Sequence, residues 1–585
     1  MTIARRLVCL LILAAAPAMA QGPLQPAWLP PDTLFYLHWK GAAQLDAARG
    51  TNSLARLWND PEFAPVRRAA AESLHQDLPS SNPAQSLTPE EREQAVSLLE
   101  SPVLLGFSGR WPIPASAQPS REESGSRLTT SGGKHQRPAA FFLILDATGK
   151  EALARRLMDR MANSSGDKPV VTSYAFGAST VEKVASAAKT YYRGWVGRYF
   201  LRADRQDLLE DLVTRFSSPD QPKDSLRQTA DFQTAAKQIA ADGVLEFFAR
   251  FPDLSMAALP ANKGLDLATL LRALRLDQLK AFCGSVSLAG ETTRLHVTMQ
   301  GNTSPGGIFD FIPEGKSSFA TLALAPPGTV YYNATQLNLT ALYRTVRNAI
   351  AASLQPEQRG GIDLMESSVA TRIGMSIPDA IALFRGEAAA IIPSASDISS
   401  SSSLFAATIQ NPAGVLRLLG AILSERIANE EREGDTTYLA LSLHSSAGAA
   451  SRPQRHFYYL AVTPQMLIAA PRKRMLRDAV ARLGPRPGAA PATLESDAGF
   501  RRARARYPDT LTGLGYFPFG QEVWEKSVEA IRETQKRSSP SAPLTERETA
   551  LLKFLSGPVV SRYVHALSSG SWKDREGVYF DVVLE

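Results

Sequence analysis

The strongest constraint on this chain is that it reads as one pattern written twice. Pro30-Pro31-Asp32-Thr33-Leu34-Phe35-Tyr36 returns as Pro326-Pro327-Gly328-Thr329-Val330-Tyr331-Tyr332, with four of seven positions identical. Both copies enter a strand rich in β-branched and aromatic residues and lead into helical patterns, Ala42 to Trp58 and Leu337 to Leu354. At an offset of 267, Tyr191-Tyr192 meets Tyr458-Tyr459, and Tyr199-Phe200-Leu201 meets Met466-Leu467-Ile468. The stripe Leu208, Leu209, Leu212, Val213, Phe216 then meets Met475, Leu476, Ala479, Val480, Leu483, one apolar helical face in each case. Asp204 is the expected N-cap of the first of these helices, with Pro471 in its place in the second.

Two further matches keep the order. Phe141 to Leu145 with Leu153, Leu157 and Met161 resembles Leu404 to Ile409 with Val415, Leu419 and Ile422. Asp231-Phe232 resembles Asp497 with Phe500. Several matches in one order imply a tandem duplication. Strands that follow one another without a helix favour antiparallel pairing. The expected class is therefore α+β: two tandem homologous domains, 21–305 and 306–585, each a mainly antiparallel sheet with packed helices. Leu295-His296-Val297-Thr298-Met299 alternates as a strand with one solvated face does. Pro114 to Ala139, poor in large apolar residues, is expected to be a disordered excursion between two strands. Ser394 to Ser403, Ala447 to Arg455, Gly484 to Ala492 and Gln535 to Thr545 read as linkers, and Asn302 to Gly315 as the join between halves.

Residues 1–20 read as a secretory signal peptide: Arg5-Arg6, an apolar run from Leu7 to Ala16, then Ala18-Met19-Ala20 for cleavage. Ten apolar residues are too few to cross a core of about 30 Å. Later in the chain, Ile377 to Ala395 is the best apolar run, and Asp379, Arg385 and Glu387 interrupt it. The expected location is periplasmic or extracellular, with no transmembrane span. Cleavage removes Cys9 and leaves Cys283 alone in an expected strand, as a small buried hydrophobe. With 44% hydrophobic and 21% charged residues, the chain is neither wholly disordered, collagen-like nor a coiled coil. Two cysteines exclude a disulfide scaffold. Without the signal, 62 basic side chains stand against 57 acidic ones, a bias of +5 that solubility alone explains.

The opening Leu29-Pro30-Pro31-Asp32-Thr33-Leu34-Phe35-Tyr36, with Leu57-Trp58-Asn59-Asp60-Pro61-Glu62-Phe63, resembles a bacterial exported family known only as a domain of unknown function. Members of that family begin the mature chain with Leu-Pro-x-Asp-Thr-x-x-Tyr. The strand and helix of Tyr199 to Phe216 and the short helix with Asp231 and Phe232 are similar too, whereas the excursion at 114–139 departs from the pattern. The resemblance implies no reaction and no catalytic residues.

A direct search for chemistry yields little. The seven histidines, His38, His75, His135, His296, His444, His456 and His565, include no pair at i+3 or i+4, so no metal site is signalled. Ser186-Ala187-Ala188-Lys189 fits Ser-x-x-Lys, but Val181 to Tyr192 reads as strand, which sets serine and lysine on opposite faces. Asp310 to Ser317 ends like a phosphate loop but has Asp310 where the first glycine belongs and Pro313-Glu314 where donor amides are needed, so no nucleotide is expected. Two basic clusters, Arg472-Lys473-Arg474 with Arg477 and Arg501-Arg502 with Arg504 and Arg506, are either solvated helix faces or a site for an anionic polymer or envelope component. No catalytic, cofactor or metal residue is assigned. The expectation is an exported, non-enzymatic binding or envelope-associated module. The alternatives are a hydrolase using Ser186 and Lys189, or an anionic-polymer binder using the arginine clusters.

Overall fold

A computed structural model describes residues 24–64, 97–98, 100–109, 138–163, 169–186, 189–217, 224–251, 266–303, 306–315, 318–398, 403–444, 455–484, 491–538 and 558–585. The expected signal peptide and residues 114–137 of the expected excursion lie outside these. The first ten strands and their helices are β1 (Thr33–Trp39), α1 (Ala43–Ala47), α2 (Ser53–Asn59), β2 (Val103–Ser108), β3 (Ala140–Asp146), α3 (Glu151–Asn163), β4 (Val170–Phe176), β5 (Ser179–Ala185), β6 (Thr190–Val196), β7 (Tyr199–Ala203), α4 (Gln206–Ser217), α5 (Ala230–Ala236), β8 (Gly243–Arg250), α6 (Leu267–Ala273), β9 (Leu279–Ala289) and β10 (Thr292–Gly301). The second ten run β11 (Tyr331–Gln336), α7 (Leu339–Ser353), α8 (Pro356–Ile373), α9 (Ile377–Ala382), β12 (Phe384–Ile392), β13 (Leu404–Ile409), α10 (Pro412–Leu423), β14 (Ile427–Glu433), β15 (Thr436–His444), β16 (Arg455–Val462), β17 (Met466–Ala470), α11 (Lys473–Leu483), α12 (Ala498–Arg504), β18 (Leu511–Pro518), α13 (Gln521–Ser538), α14 (Val559–Tyr563), β19 (Ala566–Lys573) and β20 (Gly577–Leu584).

The twenty strands among the described residues belong to one antiparallel sheet, so the class is α+β. The first ten pair in the order β4-β5-β6-β7-β3-β2-β1-β8-β9-β10. The second ten pair in the order β14-β15-β16-β17-β13-β12-β11-β18-β19-β20. The sets join where β10 pairs antiparallel with β20, from Thr293↔Leu584 to Gln300↔Gly577.

One face of the sheet is covered by α4 and α5 in the first set and by α11 and α12 in the second. Leu208, Leu209, Leu212 and Val213 of α4 are buried with Tyr36, Phe142 and Phe248. Met475 and Leu476 of α11 and Phe500 of α12 are buried with Tyr332, Ile468 and Tyr516. Each large side chain so buried stabilises the fold by roughly 1.5–3 kcal/mol. On the opposite face, α3 covers Leu143 and Leu145, and α10 packs on Ile409, Val462 and Leu467. Helix packing also crosses between the sets. Trp39, Trp58 and Val286 share a core with Val559, Val560 and Trp524. Near α6 and α7, the Asp266 amide donates to the Ser353 carbonyl at 2.8 Å. The two strand sets therefore meet through a strand pair and a shared core.

Several local expectations change. The helical stretch 42–58 is split, because Asn52 breaks it and caps α2, accepting from the Ala55 amide at 3.1 Å. Asp204 does not cap α4 through Oδ1, which is buried without a hydrogen-bond partner, and the helix begins at Gln206. The expected linker from Gln535 is helical as far as Ser538. The expected strand over 181–192 is instead two antiparallel strands, β5 ending at Ala185 and β6 beginning at Thr190. The alternation of β10 inverts the expected burial, since Thr298 is fully buried while Leu295, Val297 and Met299 are half-buried. The reason is local: the rings of Trp572 and Tyr579 lie beside His296 and cover the Thr298 end of this face, while Arg294 at its other end stays exposed.

Candidate functional site

The central strands place single polar residues opposite one another. His38 on β1 pairs with Glu246 on β8, Glu246 with Ser285 on β9, Ser285 with His296 on β10, and His296 with Asp581 on β20. All five side chains share one face of the pleat, because register partners lie side by side. Glu246 and Asp581 are lone carboxylates in the apolar runs Val244-Leu245-Glu246-Phe247-Phe248 and Tyr579-Phe580-Asp581-Val582-Val583. A single charge on an otherwise apolar strand is the signal by which the sequence marks this row.

Each carboxylate is paired. His38 Nδ1 lies 2.9 Å from Glu246 Oε1, and Lys40 Nζ lies 3.4 Å from Glu246 Oε2. These cationic and hydrogen-bonding neighbours hold the Glu246 carboxyl below its ordinary value against the opposing effect of burial, the largest single influence on it. Asp581 is fully buried, yet it accepts from Arg294 Nε at 3.0 Å and sits 2.5 Å from His296 Nδ1. His296 Nε2 is 3.0 Å from Thr298 Oγ1. A carboxylate on Nδ1 keeps the proton there, so Nε2 accepts from the threonine hydroxyl. The order carboxylate, imidazole, hydroxyl is that of a nucleophilic triad. Here the hydroxyl is sealed: Thr298 has no exposed surface, and Trp572 and Tyr579 lie beside the imidazole. In this arrangement the network ties β10 to β20 and presents no nucleophile to a substrate.

The sequence-level candidates fall elsewhere. Ser186 and Lys189 exchange backbone bonds across the β5–β6 turn, at 2.9 and 3.3 Å, and the Ser186 hydroxyl donates to the Lys189 carbonyl. Serine does not open a helix there, and its hydroxyl is not directed to the lysine amine. Arg472, Lys473 and Arg477 lie against Asp397, Glu431 and Glu433. Arg504 and Arg506 lie against Asp509 and Glu585, while Arg501 and Arg502 are exposed. Helices α11 and α12 do share one layer of the fold, but most of their basic charge is balanced locally. Cys283 is buried on β9, its thiol directed at the Ala235 carbonyl, and burial pushes it up to about 12. Among the described residues no three His, Cys, Asp or Glu side chains cluster as a metal site would require. No described helix is long and apolar enough to cross a membrane.

The opposite face of the sheet offers a different kind of site. A concavity of about 390 Å³ lies over β11, β12, β13 and β17, bounded by Asn333, Thr335, Ala388, Ala390, Phe405 and Leu467. Its lining holds no titratable group. Phe405 remains 50% exposed there, and Phe580, on the same face, 44%. Register explains the hollow. Around Tyr332 the partners are small: Asn333 meets Ala390 and Gly515, and Thr335 meets Ala388 and Gly513. Around Tyr36 the corresponding partners are large: Leu37 meets Leu105 and Phe247, and Trp39 meets Val103 and Leu245.

No protein-family model matches the chain, and no curated protein matches it. A crystal form of the protein TP0453 is similar at 11% identity over 51% of this chain and 90% of that one, with a TM-score of 0.24. Likeness of that degree carries no argument about this chain.

Proposed function

We propose that this is an exported, non-enzymatic binding module, built by tandem duplication, that takes an apolar ligand such as an acyl chain on the open sheet face of its second half. The observation that carries the reading is the hollow around Asn333 and Ala390, where side chains are small and the matching surface of the first half is filled. A concavity of about 390 Å³ is within the size range of small-molecule sites. Its apolar walls favour a chain of methylene groups over a charged ligand, which would be desolvated there without a partner.

Duplication is supported by the identical pairing order of the two strand sets and by the matching helices 206–217 and 473–483. Export rests on the tripartite pattern of residues 1–20 and on the resemblance to an exported bacterial family of unknown function.

The test is a fluorescence titration with an acyl probe, dansyl-undecanoic acid, on the wild type and on Ala390→Trp. Saturable binding to the wild type, weakened at least about tenfold by the indole that fills the hollow, is the expected result. Absence of saturable binding, or equal binding by the variant, overturns the reading.

A further inference from the structure

The sheet has two free edges among the described residues, β4 and β14, each bonded on one side only. They occupy the same place in the pairing order but differ in chemistry. β14 reads Ile-Ala-Asn-Glu-Glu-Arg-Glu, with Glu430, Glu431, Arg432 and Glu433 along it. Charge of this kind is a usual defence of an edge, since a strand pairing with it would have to desolvate carboxylates. β4 reads Val-Val-Thr-Ser-Tyr-Ala-Phe, seven residues with no charge. Val170 is 67% exposed and Val171 46%. It has neither proline nor a bulge, and its register with β5 runs unbroken from Val170↔Ala185 to Phe176↔Ser179. An uncharged, regular edge with β-branched residues and free main-chain donors and acceptors is a template for another strand.

We propose that β4 is a homotypic docking edge, pairing antiparallel with β4 of a second copy of this chain about a twofold axis at Ser173. The strand is self-complementary in that register. Val170 faces Phe176, Val171 faces Ala175 and Thr172 faces Tyr174, so β-branched residues meet aromatic or small ones and no like charges meet. The same operation on β14 sets Glu430 against Glu430, which is unfavourable. Pairing β4 with β14 of another copy would bury the β14 carboxylates against a strand that offers no cation, and it would propagate into an open fibre instead of closing. The closed twofold pair therefore fits the chemistry of both edges. Seven residues span about 24 Å at roughly 3.4 Å each, and one such pair buries less than the 1,200–2,000 Å² typical of stable complexes. The dimer is accordingly reversible and concentration-dependent. This inference does not depend on the apolar hollow, which lies at the other end of the sheet.

Sedimentation velocity on the purified protein, from about 1 to 200 µM, tests it across the range where a small interface associates. The wild type is expected to shift from monomer toward dimer as concentration rises. Ser173→Lys sets two ammonium groups against each other on the axis and should weaken dimerisation at least about tenfold. Within the fold this lysine would face Glu182, its partner on β5, so the change is compatible with folding. Thr172→Lys is the second variant, and circular dichroism reports whether each is folded. Ala428→Lys on β14 should leave association unchanged. A wild type that stays monomeric across the range overturns the proposal. So does a folded Ser173→Lys and Thr172→Lys pair that dimerises like the wild type, or dimerisation lost through Ala428→Lys.

Discussion

Asp581 is where the two strand sets are most sensitive to a single change. Its carboxylate is fully buried and serves two partners on β10, Arg294 and His296. Asp581→Ala removes the acceptor and leaves both donors. Breaking a buried ion pair from one side typically costs about 3–5 kcal/mol, because the remaining charge stays desolvated. Here the cost is reduced, since the Arg294 side chain is 45% exposed and can turn to water. His296, 14% exposed, keeps an unsatisfied N–H, worth roughly 1–3 kcal/mol. The expected loss is therefore about 2–3 kcal/mol for Asp581→Ala and roughly 1–2 kcal/mol for Asp581→Asn, whose amide oxygen still accepts from one partner. Urea unfolding followed by tryptophan fluorescence measures it, and Trp572, stacked on Tyr579 at 5.3 Å between ring centroids, reports on this seam. A double-mutant cycle with His296→Ala should give a coupling of about 0.5–3 kcal/mol. If the β10–β20 pair is what makes the sets unfold together, Asp581→Ala should also broaden or split the transition. A folded Asp581→Ala protein within about 0.5 kcal/mol of the wild type, or no coupling to His296, refutes the argument.

Three further outcomes follow from burial and close packing. Cys283 and Tyr507 are each pushed up to about 12, chiefly by burial, from ordinary values of 9.0 and 10.0. The folded chain therefore holds protons that the unfolded chain releases, so between about pH 9 and pH 12 stability should fall as pH rises, as urea midpoints would show; at pH 8 the thiol of Cys283 should react with a disulfide reagent only after denaturation, and rapid labelling of the native protein would count against its burial. Gly284→Ala should cost several kcal/mol in urea unfolding, about 3 or more, because a Cβ there would stand 2.2 Å from the His296 carbonyl oxygen and 2.6 Å from the Phe247 ring; a loss below about 1 kcal/mol would show that β9 and β10 are not so closely spaced.

Helices with strong stripes were legible in the sequence, and so were the strands they follow. The stripe from Leu208 to Val213 is buried as its spacing implies, and β3, β7, β13 and β17 appear where the short apolar runs lie. Their signal is local: one face must be covered, and period alone says which residues form it. The turn at Ser186 was not legible, because Val181 to Tyr192 keeps strand-forming residues on both sides of it and has no glycine or proline to mark the reversal. The burial of Thr298 was not legible either. Alternation reports that two faces differ, but it does not say which is covered, and β20, almost 300 residues away, decides that for β10. The polar row was half legible. Glu246 and Asp581 stand out as charges in apolar strands, but their partners His38 and His296 are fixed only by register between distant segments.

On the face covered by α4, α5, α11 and α12 the two halves keep one large pair, Tyr36 with Phe248 and Tyr332 with Tyr516, while Ala334, Ala389 and Ala406 stand where the first half has His38, Leu104 and Ile144. The large residues kept on that face are under the same packing demand in both halves. On the opposite face the pairs diverge in size, with Leu37, Leu105 and Phe247 in one half and Asn333, Ala390 and Gly515 in the other. Removing that much side-chain volume forfeits dispersion contacts and apolar burial, roughly 0.8 kcal/mol for each buried methylene group. Small side chains on the face with the hollow leave the room that a ligand requires, and Ala390, in the middle of that lining, is therefore the position at which the binding proposal is tested.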